Sequence, residues 1–135
     1  MKFADVKKQI KEINTHDKVV IEYNKMKPLP EGYVLKVSDD WCAAYVSVIL
    51  YKAGYKRIIE CSVPRMILLA RAAGIYKTSG YRPKKGDLVI LDKGRFVGDT
   101  SGHDAYADED YNGTNTLRLL GQNQENPSAT VGHVV

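Results

Sequence analysis

The sequence predicts an α+β domain in which N-terminal helices pack on a small antiparallel β-sheet. The first half of the chain shows helical spacing of apolar residues, and the second half contains short apolar runs between turn residues. Helices that come first, followed by antiparallel strands, are typical of this class. A chain of 135 residues is long enough for one core, so we expect a single domain over residues 1–135.

The first helix is predicted from about Ala4 to Asn14, where apolar residues recur at spacings of three and four. These residues are Phe3, Val6, Ile10 and Ile13. From Thr15 to Val37 the pattern is irregular, and the breakers in this stretch are Pro28, Pro30 and Gly32. We therefore expect a mostly extended connection between Thr15 and Val37.

The second helix is predicted around Cys42 and ends at Gly54. Its candidate N-caps are Ser38, Asp39 and Asp40. Its apolar residues share one face, made of Cys42, Val46, Ile49, Leu50 and Ala53. A third helix is expected from about Val63 to Ala73, with signals for its ends at Ser62, Pro64 and Gly74.

Strands are predicted after the third helix. The run Leu88–Leu91 is continuously apolar, as in a buried strand, and His103–Ala107 and Thr116–Leu120 are two further candidates. Asn112-Gly113 is a turn signal between the last two, within a connection longer than a two-residue hairpin loop.

Composition excludes several classes of protein. With 44% hydrophobic and 27% charged residues, the chain is neither disordered nor built around an apolar run of membrane length. The net charge of +4 eases approach to anionic partners, but the lysines alternate with acidic residues and form no basic stripe with aromatics. We therefore expect no nucleic-acid binding and no membrane insertion. The N-terminus has no apolar signal core, so we expect synthesis in the cytoplasm without a signal peptide.

Cys42 is the candidate nucleophile. In the first turn of a helix, a thiol meets the positive end of the helix dipole and unpaired backbone N–H groups, which favour the thiolate. The chain contains two cysteines, too few for a disulfide framework. Cys61 has no comparable surroundings, and we interpret it as a packing residue or a spectator thiol.

Three histidines compete for the role of general base. His16 stands beside Asp17 at the end of the first helix, where a solvated cap is the better interpretation. His133 lies near the C-terminus, where fraying spoils catalytic geometry. His103 opens a predicted strand that can hold its ring against the helix of Cys42. The polar group that orients the imidazole is then Gln122 or Asn123.

The chain resembles the CHAP domains (cysteine, histidine-dependent amidohydrolases/peptidases) of phage endolysins and bacterial cell-wall hydrolases. Four segments carry the resemblance over most of the chain: Trp41-Cys42-Ala43-Ala44-Tyr45-Val46-Ser47, Pro83-Lys84-Lys85-Gly86-Asp87-Leu88-Val89, Gly102-His103 and Leu120-Gly121-Gln122-Asn123-Gln124. Their order is similar to that of the family's nucleophile helix and its three core strands. The resemblance implies a papain-like fold and cleavage of an amide bond in peptidoglycan.

Carried over residue by residue, the resemblance implies that Cys42 is the nucleophile, His103 the general base and acid, and Asn123 the group that orients the imidazole. We assign Trp41 and Gln122 to substrate binding, although a tryptophan that packs under the helix is an equal alternative for Trp41. The expected partner is bacterial peptidoglycan at the cell wall. We expect a monomer that needs no cofactor.

Metal sites are disfavoured by the sequence. Asp108, Asp110, Asn112 and Gly113 fit the start of a calcium loop, but its twelfth position is Leu119, where a bidentate glutamate is needed. A solvated hairpin rim is therefore the preferred interpretation of this acidic segment. Two cysteines and three scattered histidines also lack the ligand spacing of a zinc site.

Three functions follow from these observations. The first is a peptidoglycan hydrolase, either an N-acetylmuramoyl-L-alanine amidase or a peptide endopeptidase, that uses a Cys-His-Asn mechanism. The second is a non-catalytic wall-binding or interaction module that retains the fold without the chemistry. The third is a cysteine hydrolase that acts on proteins or small amides.

Overall fold

A computed structural model describes residues 2–39, 41–77, 81–91, 103–113, 117–120, 128–129 and 133–134. Its helices are α1 (Phe3–Glu12), α2 (His16–Asn24), α3 (Cys42–Lys52) and α4 (Val63–Ala72), with a short 3-10 turn at Pro30–Gly32. Its strands are β1 (Leu88–Leu91), β2 (His103–Ala107), β3 (Leu117–Leu120), β4 (Ser128–Ala129) and β5 (His133–Val134). The predicted α+β class is confirmed.

The strands form one antiparallel sheet in the order β4-β3-β2-β1-β5. Strand β2 lies in the middle, and its first residue, His103, pairs with Leu91 of β1. The other edge of β1 pairs with β5, which places Ile90 opposite His133. The three longer strands match the predicted ones, whereas β4 and β5 carry no pattern that predicts them.

Helix α3 lies at the centre of the molecule. It contacts α1, α2, α4 and strand β2, and every residue from Cys42 to Leu50 is buried. The Tyr106 hydroxyl of β2 donates a hydrogen bond of 2.9 Å to the backbone carbonyl of Val46. The sequence predicts one apolar face for this helix, but in the structure α3 is buried on all sides from Cys42 to Leu50.

Among the side chains that the structure describes in β1, β2 and β3, buried ones lie on both faces of the sheet, whereas Arg118 of β3 is exposed. Leu88, Ile90 and Tyr106 belong to the core that the helices share. The alternate residues form a second cluster, made of Val89, Ala105, Ala107, Leu117 and Leu119. This alternation is the period of two that strands impose on their side chains.

The predicted ends of α1 and α4 are confirmed within two residues. Ser62 caps α4, and its hydroxyl accepts a hydrogen bond of 3.5 Å from the backbone N–H of Arg65. Gly54 and Gly74 follow α3 and α4 with φ of +94° and +72°, a left-handed conformation that glycine adopts without strain.

The expectation of a mostly extended connection from Thr15 to Val37 is wrong, because α2 occupies its first part. The Thr15 hydroxyl accepts a hydrogen bond of 3.2 Å from the backbone N–H of Lys18 and so caps the helix. Val19 and Tyr23, four residues apart, are both fully buried and contribute to the core. Leu29 and Tyr33, on the two sides of the 3-10 turn, have extended backbone.

The predicted N-cap of α3 is also wrong for Asp39. The Asp39 carboxylate instead accepts hydrogen bonds from the Tyr33 hydroxyl at 2.6 Å and the Lys36 backbone N–H at 2.9 Å. It thereby stabilises the turn before the helix and is not available to α3. Ser38 does not cap α3 either, since the N-cap residue is Trp41, and Asp40 lies outside the described residues.

None of the helices in the described part of the chain has the length and apolar character needed to cross a membrane.

A buried serine ties α3 to the segment that precedes α4. The Ser47 hydroxyl donates to the Glu60 carbonyl at 2.6 Å and accepts from the Glu60 N–H at 2.9 Å. Both residues are buried, with exposures of 0% for Ser47 and 3% for Glu60. The side chain thus satisfies two backbone groups that water does not reach.

Replacing Ser47 by alanine is expected to lower the free energy of unfolding by about 1–3 kcal/mol, because it leaves two buried backbone groups unpaired. Urea denaturation measures the change. The control is Ser38→Ala, since Ser38 is exposed and its loss should change stability by no more than about 0.5 kcal/mol. Equal stability of the two variants would contradict this role of Ser47.

Candidate active site

Cys42 is the first residue of α3, as the sequence predicts, and its side chain is 7% exposed. The first four backbone N–H groups of a helix have no partner within the helix. Trp41 occupies the N-cap position with φ of −127° and ψ of 7°. Because an indole ring has no hydrogen-bond acceptor, Trp41 cannot cap these groups with its side chain. The thiol therefore lies at a helix start that Trp41 leaves uncapped.

Trp41 is half-buried between two other rings. The His16 imidazole stacks on the indole with ring centroids 4.6 Å apart and planes inclined by 17°. The Tyr45 ring meets the indole edge at 6.3 Å and 85°. One part of the Trp41 side chain packs on the core and another part is accessible. Substrate binding by Trp41 stays a prediction.

The interpretation of His16 as a solvated cap is wrong. Its ring lies against Trp41, and its Nε2 atom exposes less than 1 Å² and has no hydrogen-bond partner among the described residues. His16 starts α2 and does not end α1. The missed signal is the Thr15 cap with Val19 and Tyr23 behind it, which together predict a helix that begins at His16.

His103 begins β2, the strand that packs on α3 through Tyr106. The structure therefore brings together the elements that carry Cys42 and His103. The side chain of His103 lies outside the described part of the structure. Gln122 and Asn123 also lie outside the described residues.

His133 is not in a frayed end. Its backbone belongs to β5 and pairs with Ile90, while His103 pairs with the adjacent Leu91 on the other edge of β1. The two histidines therefore flank β1 at neighbouring positions. Fraying therefore does not distinguish His103 from His133.

The acidic segment after β2 makes protein contacts. Asp108 forms an ion pair of 3.1 Å with Lys7 of α1, and Asp110 accepts a hydrogen bond of 2.9 Å from the Lys85 backbone N–H. Leu119, at the twelfth position of the calcium pattern, is buried in β3. Within the described ranges, no three His, Cys, Asp or Glu residues gather as metal ligands.

Cys61 has a different environment from Cys42. Its thiol lies 3.6 Å from the Glu60 carboxylate, which also accepts a hydrogen bond of 2.9 Å from the Cys61 backbone N–H. Burial, with the nearby Glu60 carboxylate adding to it, raises the pKa of the Cys61 thiol above its ordinary value. Neither Cys42 nor Cys61 forms a disulfide.

Compared with known proteins, the chain matches no family model, no curated protein and no solved structure.

The raised pKa of Cys61 gives a pH prediction that uses Cys42→Ala, in which Cys61 is the only thiol. Because only the thiolate reacts, the rate of iodoacetamide alkylation should rise with pH and reach its midpoint above 9.0, the ordinary pKa of the group. In urea the midpoint should fall back to that ordinary value. Burial favours the neutral form of the Cys61 thiol. The contribution of this group to the free energy of unfolding is therefore present below the pKa of the unfolded state and is lost as pH rises through the pKa of the folded state. Equal midpoints in the two conditions would contradict the environment described for Cys61.

Proposed function

We propose that this protein is a cysteine-dependent peptidoglycan hydrolase with a papain-like arrangement of the CHAP type. The observation that carries the proposal is the position of Cys42 at the first residue of a buried helix that packs on the strand headed by His103. A helix N-terminus lowers the pKa of a cysteine nucleophile, and an imidazole on a neighbouring element can serve as its base.

The start of α3 suits a thiolate nucleophile. The helix dipole stabilises negative charge at its N-terminus, and the N–H groups of the first turn are donors for an oxyanion. Trp41 contributes no acceptor that competes for these groups. The 7% exposure of Cys42 keeps most water away from the sulfur, and electrostatic interactions are stronger in such a site.

The mechanism is acyl transfer in two steps. The Cys42 thiolate attacks the amide carbonyl carbon, and the tetrahedral oxyanion accepts hydrogen bonds from backbone N–H groups at the start of α3. The C–N bond then breaks as the His103 imidazolium protonates the leaving amine, which leaves a thioester on Cys42. Asn123 orients the imidazole in this proposal.

Hydrolysis of the thioester completes the cycle. His103 takes a proton from water, the resulting hydroxide attacks the carbonyl carbon, and the carbon–sulfur bond breaks. The products are a carboxylic acid and an amine, and the thiolate–imidazolium pair is restored. Neither step requires an oxidant, a reductant or a metal ion.

Peptidoglycan is the proposed substrate because of the resemblance to wall hydrolases and the accessible part of Trp41. An indole beside the nucleophile offers an apolar wall to a sugar ring or a stem peptide, and Gln122 adds an amide for hydrogen bonding in this proposal. The net charge of +4 favours approach to anionic wall polymers.

Activity is expected to depend on Cys42 and not on Cys61. Cys42→Ala should lower the rate of wall lysis by at least about 10³-fold, because removal of a nucleophile leaves only binding and oxyanion stabilisation. Cys61→Ala is the matched control and should retain lysis. The assay follows the turbidity of purified cell walls from several bacteria, and mass spectrometry of the released fragments identifies the amide that is cut. No lysis by the unmodified protein on any wall would refute the proposal and favour a binding module.

The two histidines that flank β1 provide a second test. His103→Ala should reduce wall lysis by at least about 10²-fold, the lower range for general acid–base catalysis, whereas His133→Ala should stay near the unmodified rate. Circular dichroism spectra of both variants establish that they fold. A larger loss for His133→Ala would assign the base to β5 and contradict the role of His103.

A further inference from the structure

Three aromatic rings from separate parts of the chain meet next to the nucleophile. His16 is the first residue of α2, Trp41 is the N-cap residue of α3, and Tyr45 lies in the first turns of α3. The indole is stacked on His16 at 4.6 Å and meets Tyr45 edge-on at 6.3 Å. Both geometries are favourable arrangements for aromatic pairs.

The outer two rings have fixed positions. The Thr15 cap sets the start of α2 and therefore the backbone of His16. Tyr45 is fully buried, and its backbone N–H donates a hydrogen bond of 2.8 Å to the Trp41 carbonyl. Trp41 is thus held through its ring by α2 and through its backbone by α3.

The backbone of Trp41 is not helical, because Trp41 is the residue before the first helical residue of α3. Its φ of −127° and ψ of 7° lie outside the α region, and the residue is bonded directly to Cys42. A rotation of the Trp41 backbone therefore reorients the first turn of α3, where the sulfur and the oxyanion donors lie. The stack on His16 opposes such a rotation.

Part of the His16 side chain is enclosed at this contact. Its Nε2 atom exposes less than 1 Å² and has no hydrogen-bond partner among the described residues. The contact with Trp41 is made by the face of the imidazole ring and does not depend on either nitrogen.

We propose that His16 is a positioning residue for Cys42: its ring holds Trp41 and thereby keeps the first turn of α3 in the geometry that the nucleophile requires. This inference rests on the proposed function, in which Cys42 is the nucleophile. Small displacements of a reacting group lower rates strongly, by up to about 10²-fold for 1 Å.

The test compares His16→Phe, which keeps a stacking ring, with His16→Leu and His16→Ala, which do not. All are made with Cys61→Ala, so that Cys42 is the only thiol, and Trp41 is the only tryptophan of the chain. Ile21→Ala is the control on the same helix, because Ile21 is 54% exposed. Circular dichroism establishes folding, and the leucine variant replaces the alanine variant if the latter unfolds.

Three readouts are measured: tryptophan fluorescence, the rate of Cys42 alkylation by iodoacetamide, and kcat with KM for wall fragments. His16→Leu and His16→Ala should shift the emission to longer wavelengths and lower both the alkylation rate and kcat by about tenfold, with KM changed less. The acid limb of the pH–rate profile should stay in place. His16→Phe and Ile21→Ala should resemble the parent protein in all three.

Two results would overturn the proposal. One is a leucine variant that matches the parent in fluorescence and alkylation. The other is a His16→Phe variant whose alkylation rate and kcat fall as far as those of His16→Leu and whose pH–rate profile loses its acid limb. That result would show that a nitrogen of the His16 imidazole, and not its ring face, is needed for the reaction. The fluorescence and alkylation measurements need no substrate. If the protein cuts no cell wall, the proposed function is refuted, and these two measurements still decide whether His16 positions Cys42.

Discussion

The burial of α3 on every side is the constraint on which the rest of the molecule depends. Helices α1, α2 and α4 and strand β2 all contact it, and the small side chains of Ala43 and Ala44 are buried within this packing. A helix enclosed in this way cannot slide or rotate without opening cavities, which a close-packed interior resists. The hydrogen bond from Tyr106 to the Val46 carbonyl adds a polar connection to the sheet. Packing along the whole of α3 therefore fixes the helix that carries Cys42.

The segments around α3 are irregular, and side chains hold them in place of regular backbone pairing. Asn24 exchanges two hydrogen bonds with the Leu35 backbone, at 3.0 Å and 2.8 Å, and so fastens the segment that leads into α3 to the end of α2. Ser47 does the same for Glu60 in the segment that follows the helix. Since buried backbone groups must be paired, these two side chains let the chain enter and leave the central helix without a strand or a further helix.

Periodic elements were predictable from the sequence, and features that depend on distant contacts were not. Helices α1 and α4 and strands β1 to β3 have local patterns, and so does the placement of Cys42 in a first turn. Helix α2 was missed because it buries only Val19 and Tyr23 and runs through a β-branched segment that helical propensity disfavours. The prediction that Asp39 caps α3 is wrong because its carboxylate binds Tyr33 across a turn. No rule of sequence spacing predicts that contact. Strand β5 and the stack of His16 on Trp41 join parts of the chain that are far apart in sequence.

The two cysteines show why position in the fold, and not residue type, decides which thiol can act as a nucleophile. Cys61 is half-buried beside the carboxylate of Glu60, and both burial and that negative charge oppose its ionisation. Cys42 is more buried than Cys61, yet it lies at the positive end of a helix, where a negative charge is stabilised. Burial alone would make Cys42 the less reactive thiol. In the proposed function, the reactivity of Cys42 therefore depends on the N–H groups in the first turn of α3, which begins directly after Trp41.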